Sequence, residues 1–419
     1  MSSRGKSKQA RSNGLKELDR ISELPETLIC HILDHLSTKE AVSTSVLSTR
    51  WRNPWLWIPN VELNSRNFQD INAFVGFGDR FFNPIRVPSI RKLDLVLGRN
   101  ASTLDDESYF TSWIEAAIKR KIQHLHVRCA KEVHLTNNPL RLYSCETLVC
   151  LRLCGVILDE EVFDVLPCLK TMCLEKNMYP NEATLEKLIS SCPVLESLDI
   201  VASDIDENVF RVHSRSLKML TIERGRIVLP WYDDDDHHHD DVPGVVIDAP
   251  LLSSLSIDDI ASQNFVVSNM ESNAKLDISL SFGLGIDCLR RWVPSRRGSI
   301  GDFLVGISRV REIKISSLTF KEQRSDYSYD FDDLQLPPVQ EMKQISLPHC
   351  LLSSLELVCF EVPISGLAAE MKLIKYFLKN SANLKKLIIS LDSYSRKDDI
   401  LKELLESSRG STECELVVE

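Results

Sequence analysis

"ETLVCLRLCGV", residues 146–156, places Leu148, Leu151 and Leu153 at the spacing apolar-x-x-apolar-x-apolar. Successive strand residues point to opposite faces, so Leu151 and Leu153 enter a core while Arg152 between them faces out. The same pattern returns as Ile90/Leu93/Leu95, Ile122/Leu125/Val127, Leu169/Met172/Leu174, Leu195/Leu198/Ile200, Leu217/Leu220/Ile222, Leu252/Leu255/Ile257, Val310/Ile313/Ile315, Met342/Ile345/Leu347 and Leu384/Leu387/Ile389. First positions between 148 and 217 are 21, 26 and 22 residues apart. That is the period of a solenoid, in which each short strand needs its neighbours to bury its apolar face.

Between copies lie helical segments such as "YFTSWIEAAIKRK" (109–121) and "NEATLEKLISSC" (181–192). Strands alternating with return helices predict an α/β architecture, a curved parallel sheet with outer helices. The spacing loosens after 222 and between 257 and 310, where degenerate repeats or long loops are expected. Towards the end the pattern predicts a strand around 352–359, a helix over 367–380, a strand at 384–390, a helix over 397–406 with Ser395 and Asp398 as its cap, and a strand in 414–419.

The beginning is different. Residues 1–18 are polar and basic and predict a disordered tail. In "ISELPETLICHILDHLSTKEAVSTSVLSTRWRNPW" (21–55), Pro25 suits a helix start and Leu28, Ile29, Ile32, Leu33 and Leu36 share a face. Ser37 followed by Glu40 predicts a capping box and a second helix over 38–48, with Val42, Val46 and Leu47 inward. So many large apolar groups on so short a unit make either a mini-core or a face that packs into a partner.

The chain of 419 residues carries a formal net charge of -10, with acidity concentrated in "YDDDDHHHDD" at 232–241, which argues against general nucleic-acid binding. No apolar run is long enough to span a bilayer and the first residues lack a secretory signal, so the expected location is cytoplasm or nucleus. The twelve cysteines are spread among apolar strands without paired C-x-x-C spacing, as expected of thiols rather than a zinc module or a disulfide framework. The Asp233–Asp236 and His237–His239 run offers metal-ligand types but nothing to hold them in fixed geometry, so it reads as a solvated acidic loop and no metal is expected. No G-x-S-x-G, Walker, H-E-x-x-H or kinase motif occurs, and "FGLGIDCLRR" (282–291) lacks the context of a phosphate loop. No enzymatic activity and no cofactor are expected.

The opening stretch resembles an F-box of the plant type. The residues that carry the likeness are Asp19-Arg20-Ile21-Ser22, Leu24-Pro25-Glu26, Ile32-Leu33-x-x-Leu36, Thr38-Lys39-Glu40-Ala41-Val42 and Thr44-Ser45-Val46-Leu47-Ser48-x-Arg50-Trp51. Thr49 stands where the family commonly has Lys, and Asn53-Pro54-Trp55 where a more apolar step is usual. The far end resembles the plant FBD domain, through "CLLSSLELVCFE" (350–361), Leu378-Lys379-Asn380, Leu384-Lys385-Lys386 and Cys414-x-Leu416-Val417. Ser408 precedes Arg409 where a proline is usual.

The resemblance implies an F-box over 19–60, leucine-rich repeats over 88–345 with the acidic insert at 232–241, and an FBD domain over 346–419 that continues the solenoid. For function it implies the substrate-recognition subunit of an SCF-type cullin-RING ubiquitin ligase, working by proximity rather than catalysis. A Skp-type adaptor would bind Leu24, Pro25, Ile29, Ile32, Leu33, Val42, Leu47 and Trp51, and through it a cullin-RING scaffold. A target protein, not identified by sequence, would lie on solvent-facing repeat positions such as Arg152, Asp199, Asp233 and Asp234. The alternative is a non-degradative repeat scaffold that binds the adaptor without delivering a target. Neither membrane nor direct nucleic-acid contact is expected.

Overall fold

The computed structural model describes residues 20–82 (except 22), 89–98, 108–134, 145–158, 165–203, 208–225, 244–280 (except 260, 261, 263, 269 and 271–273), 307–315 (except 308), 353–391 (except 365 and 367) and 397–419. The N-terminal tail, the acidic insert with Asp233 and Asp234, the Met342/Ile345/Leu347 copy and Ser395 lie outside them.

Among the described residues, thirteen parallel strands form one sheet whose spatial order follows the chain. They are β1 (Asn60–Asn64), β2 (Lys92–Leu97), β3 (His124–His134), β4 (Cys150–Ile157), β5 (Thr171–Glu175), β6 (Ser197–Val201), β8 (Met219–Arg224), β10 (Ser254–Asp259), β12 (Lys275–Leu280), β13 (Glu312–Ile315), β14 (Leu357–Ile364), β15 (Lys386–Leu391) and β16 (Glu415–Val418). Register is set by the apolar pattern: Leu93, Leu125, Leu151, Met172, Leu198 and Leu220 are partners from strand to strand. Each is fully buried. Their neighbours in sequence face the other way and form an open face of polar and half-buried residues.

The apolar face is covered by return segments of two kinds. Early and late in the chain they are helices: α3 (Ile71–Phe82), α4 (Ser108–Lys119), α5 (Glu182–Ser190), α6 (Ala368–Asn380) and α7 (Lys397–Leu405). Asn181 caps α5 by accepting from the Thr184 amide at 3.0 Å. In the middle they are strands, β7 (Phe210–His213), β9 (Gly244–Asp248) and β11 (Asn264–Ser268), which make a second parallel sheet. Phe210, Val212, Val245, Ile247, Phe265 and Val267 bury its inner side. Aromatic and β-branched residues favour strand over helix here, and residues 260–274 leave little chain for a helical return with its turns. The loosened spacing after 222 is thus a change in the outer layer, with β12 filling the interval between 257 and 310.

Three expectations need correction. The strand foreseen at 352–359 is β14, starting at Leu357, because Ile313 pairs with Val358 and this register buries Leu355, Val358 and Phe360. The second N-terminal helix foreseen over 38–48 is α2 (Thr38–Ser43), followed by a 3-10 turn at Thr44–Val46. Ser43 Oγ donates back to the Lys39 carbonyl and Thr44 Oγ1 to that of Ala41, the kind of bonding that competes with helix continuation. As a result Val46 and Leu47, expected inward, are exposed.

Candidate adaptor-docking face and open sheet face

The first helix, α1 (Glu26–Asp34), begins on Pro25, whose carbonyl accepts from the Leu28 and Ile29 amides at 3.0 and 3.1 Å. Proline suits this position because its missing N–H costs no helical bond. The foreseen capping box is present: Ser37 Oγ accepts from the Glu40 amide, and Glu40 accepts from the Ser37 amide at 2.9 Å. The Ser37 hydroxyl also donates to the Glu40 carboxylate at 2.8 Å, and this bond, with that from the Ser37 amide, holds the Glu40 carboxyl below its ordinary range.

The residues expected to meet an adaptor divide by burial. Ile29, Leu33 and Trp51 are buried with Ala41, Trp55 and Ile58, and Trp51 Nε1 donates to the Ile21 carbonyl at 3.3 Å. They form the mini-core. Leu24 and Val42 are half-buried, while Pro25, Ile32 and Leu47 are exposed. Leu28 at 48% exposure lies one turn from Ile32 at 41%, and Val46 reaches 85%. Leu28, Val46, Ile21 and Trp57 were not among the expected docking residues, yet all are large, apolar and exposed. The helical period identifies a face of α1 but not which half turns inward; that depends on where Trp51 and Trp55 pack.

The unit is fastened to the sheet without a free linker. Thr38 Oγ1 accepts from the Glu62 amide of β1 at 2.8 Å, and Asn60 Nδ2 donates to Asp34 at 2.8 Å. Trp55 stacks on Phe77 of α3 at 5.6 Å, and Trp113 of α4 stacks on Phe82 at 5.8 Å. A Cβ at Gly78 would sit 2.0 Å from the Trp113 ring, so only glycine allows α3 and α4 to approach this closely.

On the open face, strand register places Glu62, Asp94, His126, Arg152, Cys173, Asp199 and Thr221 in one row. Arg152 and Asp199, proposed from sequence as target contacts, stand in that row two strands apart with Cys173 between them. Arg152 is exposed and Asp199 half-buried. At strand starts, Lys170 and Lys218 flank Glu196 at 3.6 and 3.2 Å, and Arg311 and Lys385 flank Glu356 at 3.5 and 2.7 Å. Among the described residues, no three His, Cys, Asp or Glu side chains are grouped to hold a metal ion, and no helix is long and apolar enough to cross a membrane.

Family models match at residues 21–53 (F-box domain), 110–277 (FBD-associated F-box protein At5g56370, LRR repeats) and 343–389 (FBD). The protein named FBD-associated F-box protein At5g53635, of Arabidopsis thaliana, is 44% identical over 441 residues, covering 95% of this chain and 99% of the relative. F-box/FBD/LRR-repeat protein At2g05300 of the same plant is 43% identical, covering 97% and 98%. F-box/FBD/LRR-repeat protein At5g22660 is 38% identical, covering 96% of each. With a small helical unit, a parallel sheet in chain order among the described residues, and matches along nearly its whole length, the chain belongs to the plant F-box/FBD/LRR-repeat family.

Proposed function

We propose that this chain is a substrate receptor of an SCF-type cullin-RING ubiquitin ligase, docking a Skp-type adaptor through α1, α2 and the following turn, and holding a target protein on the open sheet face. Family membership supports the general receptor role of a non-catalytic protein. The observation that carries the adaptor assignment is the cost left unresolved by folding: Leu28, Ile32, Val46 and Leu47 remain in water although the mini-core beneath them is complete. Burying such groups against a partner recovers their transfer free energy, roughly 25 cal/mol per Å² of apolar surface. Ile29, Leu33 and Trp51 then act by holding that face in shape. The direct joint to β1 and the aromatic packing of α3 and α4 keep the docking face at a fixed position relative to the sheet. A rigid receptor raises the effective concentration of a target lysine near the ubiquitin carrier, so it needs no reactive group of its own for this task.

The test is quantitative capture of bound proteins by the native chain and by an Ile32→Asp, Leu47→Asp variant expressed in the same plant cells. A target that accumulates on the variant, and loses its ubiquitin conjugates there, supports delivery for degradation. Equal recovery of every bound protein on both forms supports the non-degradative scaffold instead.

A further inference from the structure

Three residues on the open face, from three consecutive strands, stand in line. Asp94 Oδ2 on β2 lies 3.6 Å from Nδ1 of His126 on β3, and His126 Nε2 lies 3.8 Å from Sγ of Cys150 on β4. The two ring nitrogens therefore look in opposite directions, one to a carboxylate and one to a sulfur. All three side chains are partly accessible. The arrangement is a relay rather than a cage, in agreement with the absence of a metal-holding group among the described residues.

We propose that Asp94 and His126 keep Cys150 a reactive thiolate, and that Cys150 is this chain's site of exchange with a small carboxylate-bearing disulfide of the oxidised-glutathione kind. The Cys150 proton moves to His126 Nε2, and the resulting imidazolium is held by Asp94. The thiolate attacks one sulfur of the disulfide; a new S–S bond forms, the old one breaks, and its electron pair leaves on the departing thiolate, which takes the proton from His126. One protein thiol and one disulfide become one mixed disulfide and one small thiol, with no other reactant.

The surroundings favour this chemistry. His124 is Cys150's partner across β3, and Lys92 precedes Asp94 on β2 within 3.5 Å of it. Arg152 follows on β4 and Cys173 stands on β5. His124 is held towards its neutral form by burial and by the nearby cations, whereas Arg91, Lys92 and Arg152, together with His126 once it carries the thiol proton, outnumber Asp94 and favour an anionic disulfide. Burial would raise the Cys150 thiol, but the hydrogen bond and charge of His126, with help from Arg152, hold it below the ordinary thiol range. His126 is raised, chiefly by Asp94 and then by Cys150. Cys192 shows the opposite case, pushed up to about 11 by burial. Nothing in this inference depends on the ligase assignment.

The full-length chain treated with oxidised glutathione at pH 7, followed by peptide mass mapping, tests it with an internal control, since Cys168 is exposed on the same protein. Cys150 is expected to gain the glutathionyl mass about tenfold faster than the more exposed Cys168, because its histidine partner supplies the attacking thiolate. His126→Asn should abolish that advantage and move the inflection of the rate–pH profile upward, and Asp94→Asn should do so in part, both with unchanged circular dichroism. Cystamine, a cationic disulfide, should react more slowly at Cys150 than oxidised glutathione. Equal rates at Cys150 and Cys168, or a native rate profile in folded His126→Asn, would overturn the relay; equal rates with cystamine would overturn the preference for an anion.

Discussion

The helical unit and the sheet divide apolar side chains differently, although the sheet region also exposes Met219, Leu251 and Val266. Across the sheet, Leu93, Leu125, Leu151, Leu198 and Leu220 are buried, and the open face is mainly polar. In the helical unit, Ile29 and Leu33 are buried, yet Leu28 and Ile32, on the same short helix, are left exposed together with Val46 and Leu47. A solenoid completes its own core because every strand has a neighbour; the small unit fills its interior with a few groups and presents the rest. Completion in one region and surplus in the other is the difference on which the proposed adaptor docking rests.

The largest effect is expected in the aromatic layer over the first strands of the sheet, on which Trp55 of the helical unit stacks through Phe77. Trp113 is buried between α3 and α4, with Phe74 at 5.3 Å and Phe82 at 5.8 Å, and its Nε1 donates to Asp79 at 2.9 Å. Trp113→Ala should lower unfolding free energy by about 3–5 kcal/mol, read from urea melts followed by near-ultraviolet circular dichroism. An unchanged melt would mean that this aromatic layer is not part of the cooperative core. Within the sheet, Leu198→Ala should cost about 2–5 kcal/mol, whereas the same truncation at Ile32 should stay within about 0.5 kcal/mol. Equal losses at both positions would erase the distinction between a finished core and a presented face. Ser37→Ala removes the acceptor of the Glu40 amide and one arm of the capping box, and should cost about 1 kcal/mol in the same melts.

The smallest effect is a titration. His126 is raised in the folded chain by Asp94, so its ion pair contributes fully below the unfolded histidine pKa, about 6.5, and is lost as pH rises through the higher folded value. Asp94 is lowered, because His126 and Lys92 outweigh the raising effect of burial; its contribution is lost as pH falls through that lowered value. Asp94→Asn should therefore move the His126 midpoint down in a proton-resonance titration, and an unmoved midpoint would remove the pair.

Much of this was legible in sequence because it is local. Ser37 and Glu40 announce a cap three residues apart, and Leu148, Leu151 and Leu153 announce a strand within six. β1 is less legible, since Ile58, Val61 and Leu63 repeat the pattern but lie close behind the helical stretch. β12 was hidden by Asn273, which stands where other copies carry a large apolar residue. The second sheet was unreadable because its strands, such as Phe210–His213, are too short for a period to show. Asp94, His126 and Cys150 meet only through register across three strands, a product of loop lengths that no local motif records.

The central claim is that the exposed apolar face of α1 and the turn after α2 is an adaptor surface. Calorimetric titration of a Skp-type adaptor into the native chain and into a Leu28→Ala, Ile32→Ala, Leu47→Ala variant tests it most directly. Truncating groups at the centre of an interface costs more than about 1 kcal/mol each, so the variant should bind at least about a hundredfold more weakly while its unfolding midpoint stays close to native. Native chain that is folded yet binds no such adaptor, or a folded variant that binds as tightly as native, would contradict the account.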